Sequence, residues 1–287
     1  MRTADPRIVL GLHRTRPTRA LLTAALNLGV TALDTAFNYG SFASHTTLAQ
    51  YSDLLPEFGI STKVGFFPGG SGGAEHSLAP ERLRAAVEQS ARELGREPDT
   101  VLLHNPERAL HHRPPEHGHE LLAAACAALA RARADGLCRS WGIATWNPAP
   151  LLAAYGRDLP VLPVLMVRAG LLVGIATLDA ADALTKRWRP TARWGMSPFG
   201  GDAGAPVWQR VAAHAFLQDP SASMSPAAAA FRAAYRLPEV SAIAVGTTNP
   251  EHLRDLHAAL RIPVEDAAVA HYRSLLRERA VVTGVPR

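Results

Sequence analysis

The stretch ALDTAFNYG, residues 32–40, opens apolar, turns polar at Asp34 and ends on Asn38, Tyr39 and Gly40, where glycine permits a sharp turn. It reads as a buried strand that carries Asp34 near its end and lifts Tyr39 onto the loop just beyond. Two later stretches end the same way. GISTKVGF, residues 59–66, alternates as a strand and puts Lys63 near its end, and TVLLHNP, residues 100–106, does so for His104. In a (β/α)8 barrel the loops after the carboxyl ends of the strands build the active site, so Asp34, Tyr39, Lys63 and His104 would converge there.

Those residue types suit proton chemistry. A phenol titrates at about 10 and needs help to work near neutrality. An ammonium beside it favours phenolate and lowers its pKa, and a carboxylate beside the ammonium keeps that group charged and in place. An imidazole nearby can donate a hydrogen bond to a substrate carbonyl. Taken singly, Asp34 also reads as a turn residue, Tyr39 as a rim aromatic and His104 as a satisfied strand-end histidine.

The rest of the chain supplies the other parts of such a barrel. Strands are expected at residues 8–12, 140–145, 160–168, 191–199 and 242–245. Helices are expected from a Thr18 cap to Leu28, over 44–55, 78–95, 121–135 and 177–188, from a Ser225 cap to Tyr235, and over 250–260 behind Asn249. Strands alternating with helices predict an α/β fold, a (β/α)8 TIM barrel formed as one domain over residues 1–287, with an extra C-terminal helix at 264–280 packed outside it. The glycine-rich FFPGGSGGAE, residues 66–75, lacks phosphate-loop spacing and reads as a mobile loop on the substrate side. HHRPPEHGH, residues 111–119, reads as a flexible exposed loop. Its four histidines have no fixed helical spacing and no cysteine partner, so no metal is expected.

Composition narrows the function. A hydrophobic content of 47% over 287 residues is ample for one large core. No apolar run reaches bilayer length and MRTADPR has no signal-type hydrophobic region, so the expectation is a cytoplasmic protein without a membrane partner. Cys126 and Cys138 are expected to be reduced thiols. The net charge of +5 raises the question of acidic partners, but the arginines are scattered singly among acids, so no nucleic-acid partner is expected. Of 30 basic residues only Lys63 and Lys186 are lysine, so Lys63 marks a place that calls for a compact, adjustable ammonium.

DTAFNYG at 34–40, STK at 61–63 and LLHNP at 102–106 stand in the order and spacing of the aldo-keto reductases, and the chain resembles that family over nearly its whole length. The resemblance implies a catalytic tetrad of Asp34, Tyr39, Lys63 and His104 with Tyr39 as general acid. It also implies NADPH bound across the carboxyl end of the barrel, with His13 and Arg14 on the pocket floor. Ser197 and Pro198, with Gly200 and Gly201, look like the turn that approaches the pyrophosphate. GTTNPEHL, residues 246–253, resembles the adenosine-phosphate loop, which implies Gly246, Thr247, Thr248, Asn249 and His252 as cofactor contacts, with Asp255 beside the adenine.

Other positions depart from the family pattern. Ala144 and Thr145 stand where a Ser and an Asn usually hold the nicotinamide amide, Met166 where a Gln does, and Met196 where an aromatic stacks, with Trp194 two residues earlier. Thr248 and His252 replace the basic residue for the 2′-phosphate, and His45 replaces a frequent glutamate. The resemblance still implies an NADPH-dependent carbonyl reductase acting on a small-molecule ketone or aldehyde; a monomer is the default for the fold, and the Ala- and Arg-rich composition suggests a GC-rich bacterial genome and a role in secondary metabolism. His104 points to C=O rather than C=C reduction, since relatives that reduce conjugated double bonds carry glutamate there. The alternative is a redox-neutral acid-base enzyme, a dehydratase, isomerase or cyclase, whose cofactor cleft is given over to substrate. A non-catalytic binding protein is a third class, disfavoured by the intact tetrad.

Overall fold

The computed structural model describes residues 5–70, 72–219 and 223–283; the start of the MRTADPR segment and Ser71 of the glycine-rich stretch lie outside them. Eight parallel strands close into a barrel: Arg7–Gly11, Ala32–Asp34, Gly59–Val64, Thr100–His104, Ser140–Thr145, Val164–Arg168, Ala192–Met196 and Ala242–Val245, called the first to the eighth below. The eighth closes onto the first, Val245 opposite Leu10, and Leu10 in turn faces Leu33 of the second. The expected (β/α)8 barrel is the fold observed.

Strand alternation divides the apolar residues between two cores. Val9, Leu102, Ala144, Val164, Met166, Ala242 and Ala244 plug the barrel interior. Their outward neighbours, among them Leu10, Leu33, Ile60, Leu103 and Ile143, pack on the surrounding helices. Local signals set the helix ends. Thr18 Oγ1 accepts from Leu21 N at 3.2 Å to start Arg19–Asn27. Pro80–Leu94 begins on proline and stops at Gly95, whose φ of +70° is the left-handed stop that glycine tolerates.

Several boundaries differ from the sequence reading. The second strand ends at Asp34, and the turns that follow carry Tyr39. The helix expected over 44–55 is only Ser44–Ala49. The glycine-rich stretch is a β-hairpin rather than a loop, with Phe66–Pro68 antiparallel to Ala74–His76 and Gly69 N donating to Gly73 O at 2.8 Å. Residues 111–114 of the histidine-rich stretch are an exposed turn as expected, but the second half is helical, because Pro115 occupies the first turn of Pro115–Ala134 and draws His117 and His119 into it. Among the described residues no group of three or more His, Cys, Asp or Glu could hold a metal, and no helix is long and apolar enough to cross a membrane. The last helix, Asp266–Thr283, packs outside the barrel as expected, with Arg273 at 2.5 Å from Asp182 and Arg277 at 2.8 Å from Asp179.

Candidate active site

Asp34, Lys63 and His104 come from the carboxyl ends of the second, third and fourth strands, so the barrel brings them to one mouth. Lys63 Nζ donates to Asp34 Oδ2 at 2.5 Å, to the Thr35 carbonyl at 2.9 Å and to the Tyr39 hydroxyl at 3.3 Å. Asp34 Oδ1 accepts from Ser61 Oγ at 2.9 Å. Lys63 is 1% exposed and Asp34 4%, so this is an ion pair almost without solvent. The turn carrying Tyr39 is fixed by Phe37 N on the Lys63 carbonyl at 2.9 Å and by Tyr39 N on the Ala36 carbonyl at 3.1 Å. The Tyr39 ring lies between two imidazoles, His13 at 4.8 Å and His104 at 5.9 Å between centroids.

Burial opposes charge on Lys63, but Asp34 and Tyr39 outweigh it and raise its pKa, which keeps the ammonium. Lys63 pulls the Tyr39 pKa down, as expected from its charge, but it does not set the net direction. Burial of the phenol outweighs the nearby ammonium, so the pKa of Tyr39 is raised and the group stays protonated. His104 falls well below the usual imidazole value, first through burial and then through Lys63, His76 and His13. It is therefore a neutral ring with one N–H. Its carbonyl accepts from His76 Nε2 at 2.9 Å, which ties the Phe66–His76 hairpin to the fourth strand, and its Nδ1 is buried without a partner. A protonated phenol on a buried ammonium, beside a neutral imidazole, can give a proton to an oxygen and hydrogen-bond it.

These groups form one end of a cavity of about 570 Å³. Its wall runs over His13, Arg14, Phe66, Asn105 and Trp146 to Met196, Ser197, Gly246, Thr247 and Thr248. Close packing shapes that far side: a Cβ on Gly170 would come 2.5 Å from the Pro198 carbonyl, and one on Gly246 would come 2.7 Å from Thr15 Oγ1. Ser197 itself is held at a φ of +57°.

The other expected cofactor contacts are not on this wall. Met166 is fully buried in the interior plug. Thr145 faces outward because its neighbour Ala144 faces in, and its hydroxyl donates to Glu107 Oε2 at 2.8 Å. Asn249 caps Pro250–Ala259 through Glu251 N at 2.9 Å, and His252 and Asp255 are exposed on that helix.

The sequence reading missed Glu107. This buried carboxylate accepts from Thr145 Oγ1, from Trp146 N at 2.7 Å and from Asn147 N at 3.4 Å, and so holds the end of the fifth strand and Trp146 at the cavity. Burial raises its pKa against those bonds. Its only sequence signal is an acid directly after the LLHNP motif. Glu107→Ala leaves a buried hydroxyl and an amide unpaired and is expected to cost about 2–3 kcal/mol, read from urea unfolding. A loss below about 0.5 kcal/mol would mean that water replaces the carboxylate.

The sequence model of the Aldo/keto reductase family matches residues 14–173, a span that includes Asp34, Tyr39, Lys63 and His104. Among curated proteins none matches the chain. Solved structures that resemble it include an aldo-keto reductase of Bacillus halodurans in its holo form, 16% identical, covering 94% of this chain and 91% of that one, with a TM-score of 0.73. A glycerol dehydrogenase of Gluconobacter oxydans is 18% identical over 95% and 91%, with a TM-score of 0.71. An aldo-keto reductase of Klebsiella pneumoniae in complex with NADPH is 18% identical over 94% and 91%, with a TM-score of 0.69. At such identities the likeness is one of fold.

Proposed function

Since the chain belongs to the aldo/keto reductase family, we propose that it reduces a ketone or aldehyde with NADPH, Tyr39 serving as the general acid. The observation that carries this reading is the Lys63 ammonium shared between Asp34 and the Tyr39 hydroxyl beside His104.

The wall residues suit a dinucleotide. Arg14 has no carboxylate partner among the described residues and, with the hydroxyls of Ser197, Thr247 and Thr248, offers donors for phosphate oxygens. Asn38 Oδ1 and Asn105 Oδ1 are buried on the wall without partners, and such acceptors are satisfied by a carboxamide or a ribose hydroxyl. Bound there, NADPH supplies the hydride to the carbonyl carbon. Tyr39 gives its proton to the carbonyl oxygen, and Lys63 stabilises the phenolate left behind. Asp34 keeps Lys63 charged and in place. His104, neutral, orients the same oxygen through its N–H.

Titration with NADPH and then NADH, followed by nicotinamide fluorescence, tests this reading. Micromolar NADPH binding is expected, and no binding up to millimolar cofactor overturns it. The placement of Thr145 and Met166 away from the wall favours a second reading, acid-base catalysis by Tyr39 and Lys63 without a cofactor. An absolute requirement for stoichiometric NADPH would eliminate that second reading.

A further inference from the structure

Val164 and Met166 of the sixth strand point into the barrel, so alternation turns Arg168, the last residue of that strand, inward at the same mouth. Its guanidinium lies over the Trp146 indole, 4.9 Å from the ring centroid; Trp146 and Met196, the register partner of Arg168, line the cavity, and Arg168 stands just outside that lining. The inward layer below includes Ala144 and Met166, paired in register and fully buried, with the partly buried Trp194 beside Met166. Arg168 Nε is buried and has no hydrogen-bond partner.

Among the described residues no carboxylate pairs with Arg168, although the surface arginines Arg19 and Arg84 and the partly buried Arg273 sit on acids. The buried acids among the described residues, Asp34 and Glu107, are committed elsewhere. Asp34 is held by Lys63 and Ser61, and both oxygens of Glu107 accept from the end of the fifth strand. A half-buried guanidinium on an apolar floor is unfavourable until an anion meets it, and its planar fork matches a carboxylate. The low-dielectric floor strengthens that attraction.

On the reading that the cavity takes a carbonyl substrate, we propose that Arg168, braced on Trp146, binds a carboxylate on that substrate, so that the preferred compounds are aldehydes or ketones that are also acids. The apolar departures at Ala144 and Met166 then have a use as the dry floor beneath an ionic contact.

Benzaldehyde and 4-carboxybenzaldehyde, each with NADPH, are the probes. In the wild type the carboxylated aldehyde is expected to have the higher kcat/KM, and in Arg168→Gln the ratio of the two values is expected to fall by roughly tenfold or more. Arg168→Lys, which keeps the charge but not the fork, is expected to recover part of that ratio. An unchanged ratio in Arg168→Gln overturns the proposal, as does a loss confined to NADPH affinity, which would assign Arg168 to the cofactor phosphates. Calorimetric titration of the protein alone with benzoate and with benzamide separates this proposal from the reductase reading. A benzoate preference that disappears in Arg168→Gln supports the anion site even if neither aldehyde is reduced. Equal binding of the two probes in the wild type, or a preference that survives in the variant, rules the site out.

Discussion

Replacing Tyr39 by phenylalanine is expected to lower kcat for carbonyl reduction by roughly three orders of magnitude, the contribution of a well-placed general acid. The substitution removes one oxygen and leaves the rest of the cluster bonded, since Lys63 keeps its contacts with Asp34 and the Thr35 carbonyl. The hydroxyl makes a single long bond, 3.3 Å to Lys63, so stability is expected to change by about 1 kcal/mol or less. Retained folding with lost turnover is therefore the signature of an acid rather than of a structural phenol. The pH profile gives a second check. Burial raises the pKa of Tyr39 above the ordinary phenol value of about 10, so the acid form is fully populated at neutrality. The kcat of the wild type should stay level through the neutral range and fall only as pH rises through that raised pKa. NADPH oxidation by Tyr39→Phe at more than a tenth of the wild-type rate would show that another group supplies the proton.

The cluster was legible because its residues stand where short-range pattern meets topology. Asp34, Lys63 and His104 each follow apolar alternation at a strand end, and a parallel barrel puts all such ends on one side. Thr145 was less readable because its direction depends on the parity of the strand. Ala144 takes the inward position, and the hydroxyl next to it turns out to Glu107, which lies 38 residues earlier in the chain. Nothing local in either segment announces that bond. The second proline of the histidine-rich stretch looked like loop chemistry but opens a helix, since a first-turn proline lacks only an N–H that the helix would leave unpaired. His252 and Asp255 were expected among the cofactor contacts with their loop; the helix beginning at Pro250 leaves them exposed, off the wall that Gly246, Thr247 and Thr248 line. Short motifs thus marked the residues that cluster, while the direction of each supporting side chain required the fold.

Lys63→Met tests the same cluster from its buried side. Methionine keeps much of the aliphatic length of lysine but removes the ammonium, which leaves the Asp34 carboxylate with Ser61 as its remaining side-chain donor in a site 4% exposed. Breaking one partner of a buried pair costs about 3–5 kcal/mol, and that loss is expected in urea unfolding. Turnover should fall at least a hundredfold, because the phenolate formed on Tyr39 loses the charge that stabilises it. The sign of the pH dependence follows from the raised pKa of Lys63. Its contribution to stability is complete below about 10.4, the value of an unfolded lysine, and is lost as pH climbs through the raised one. The gap in stability between wild type and variant should therefore be constant near neutrality and close only in strong alkali. Adding Asp34→Asn to Lys63→Met removes the stranded charge and is expected to restore much of the stability but none of the turnover. If the double variant regained activity along with stability, the Lys63 ammonium would be a structural counter-ion to Asp34 and not part of the proton chemistry.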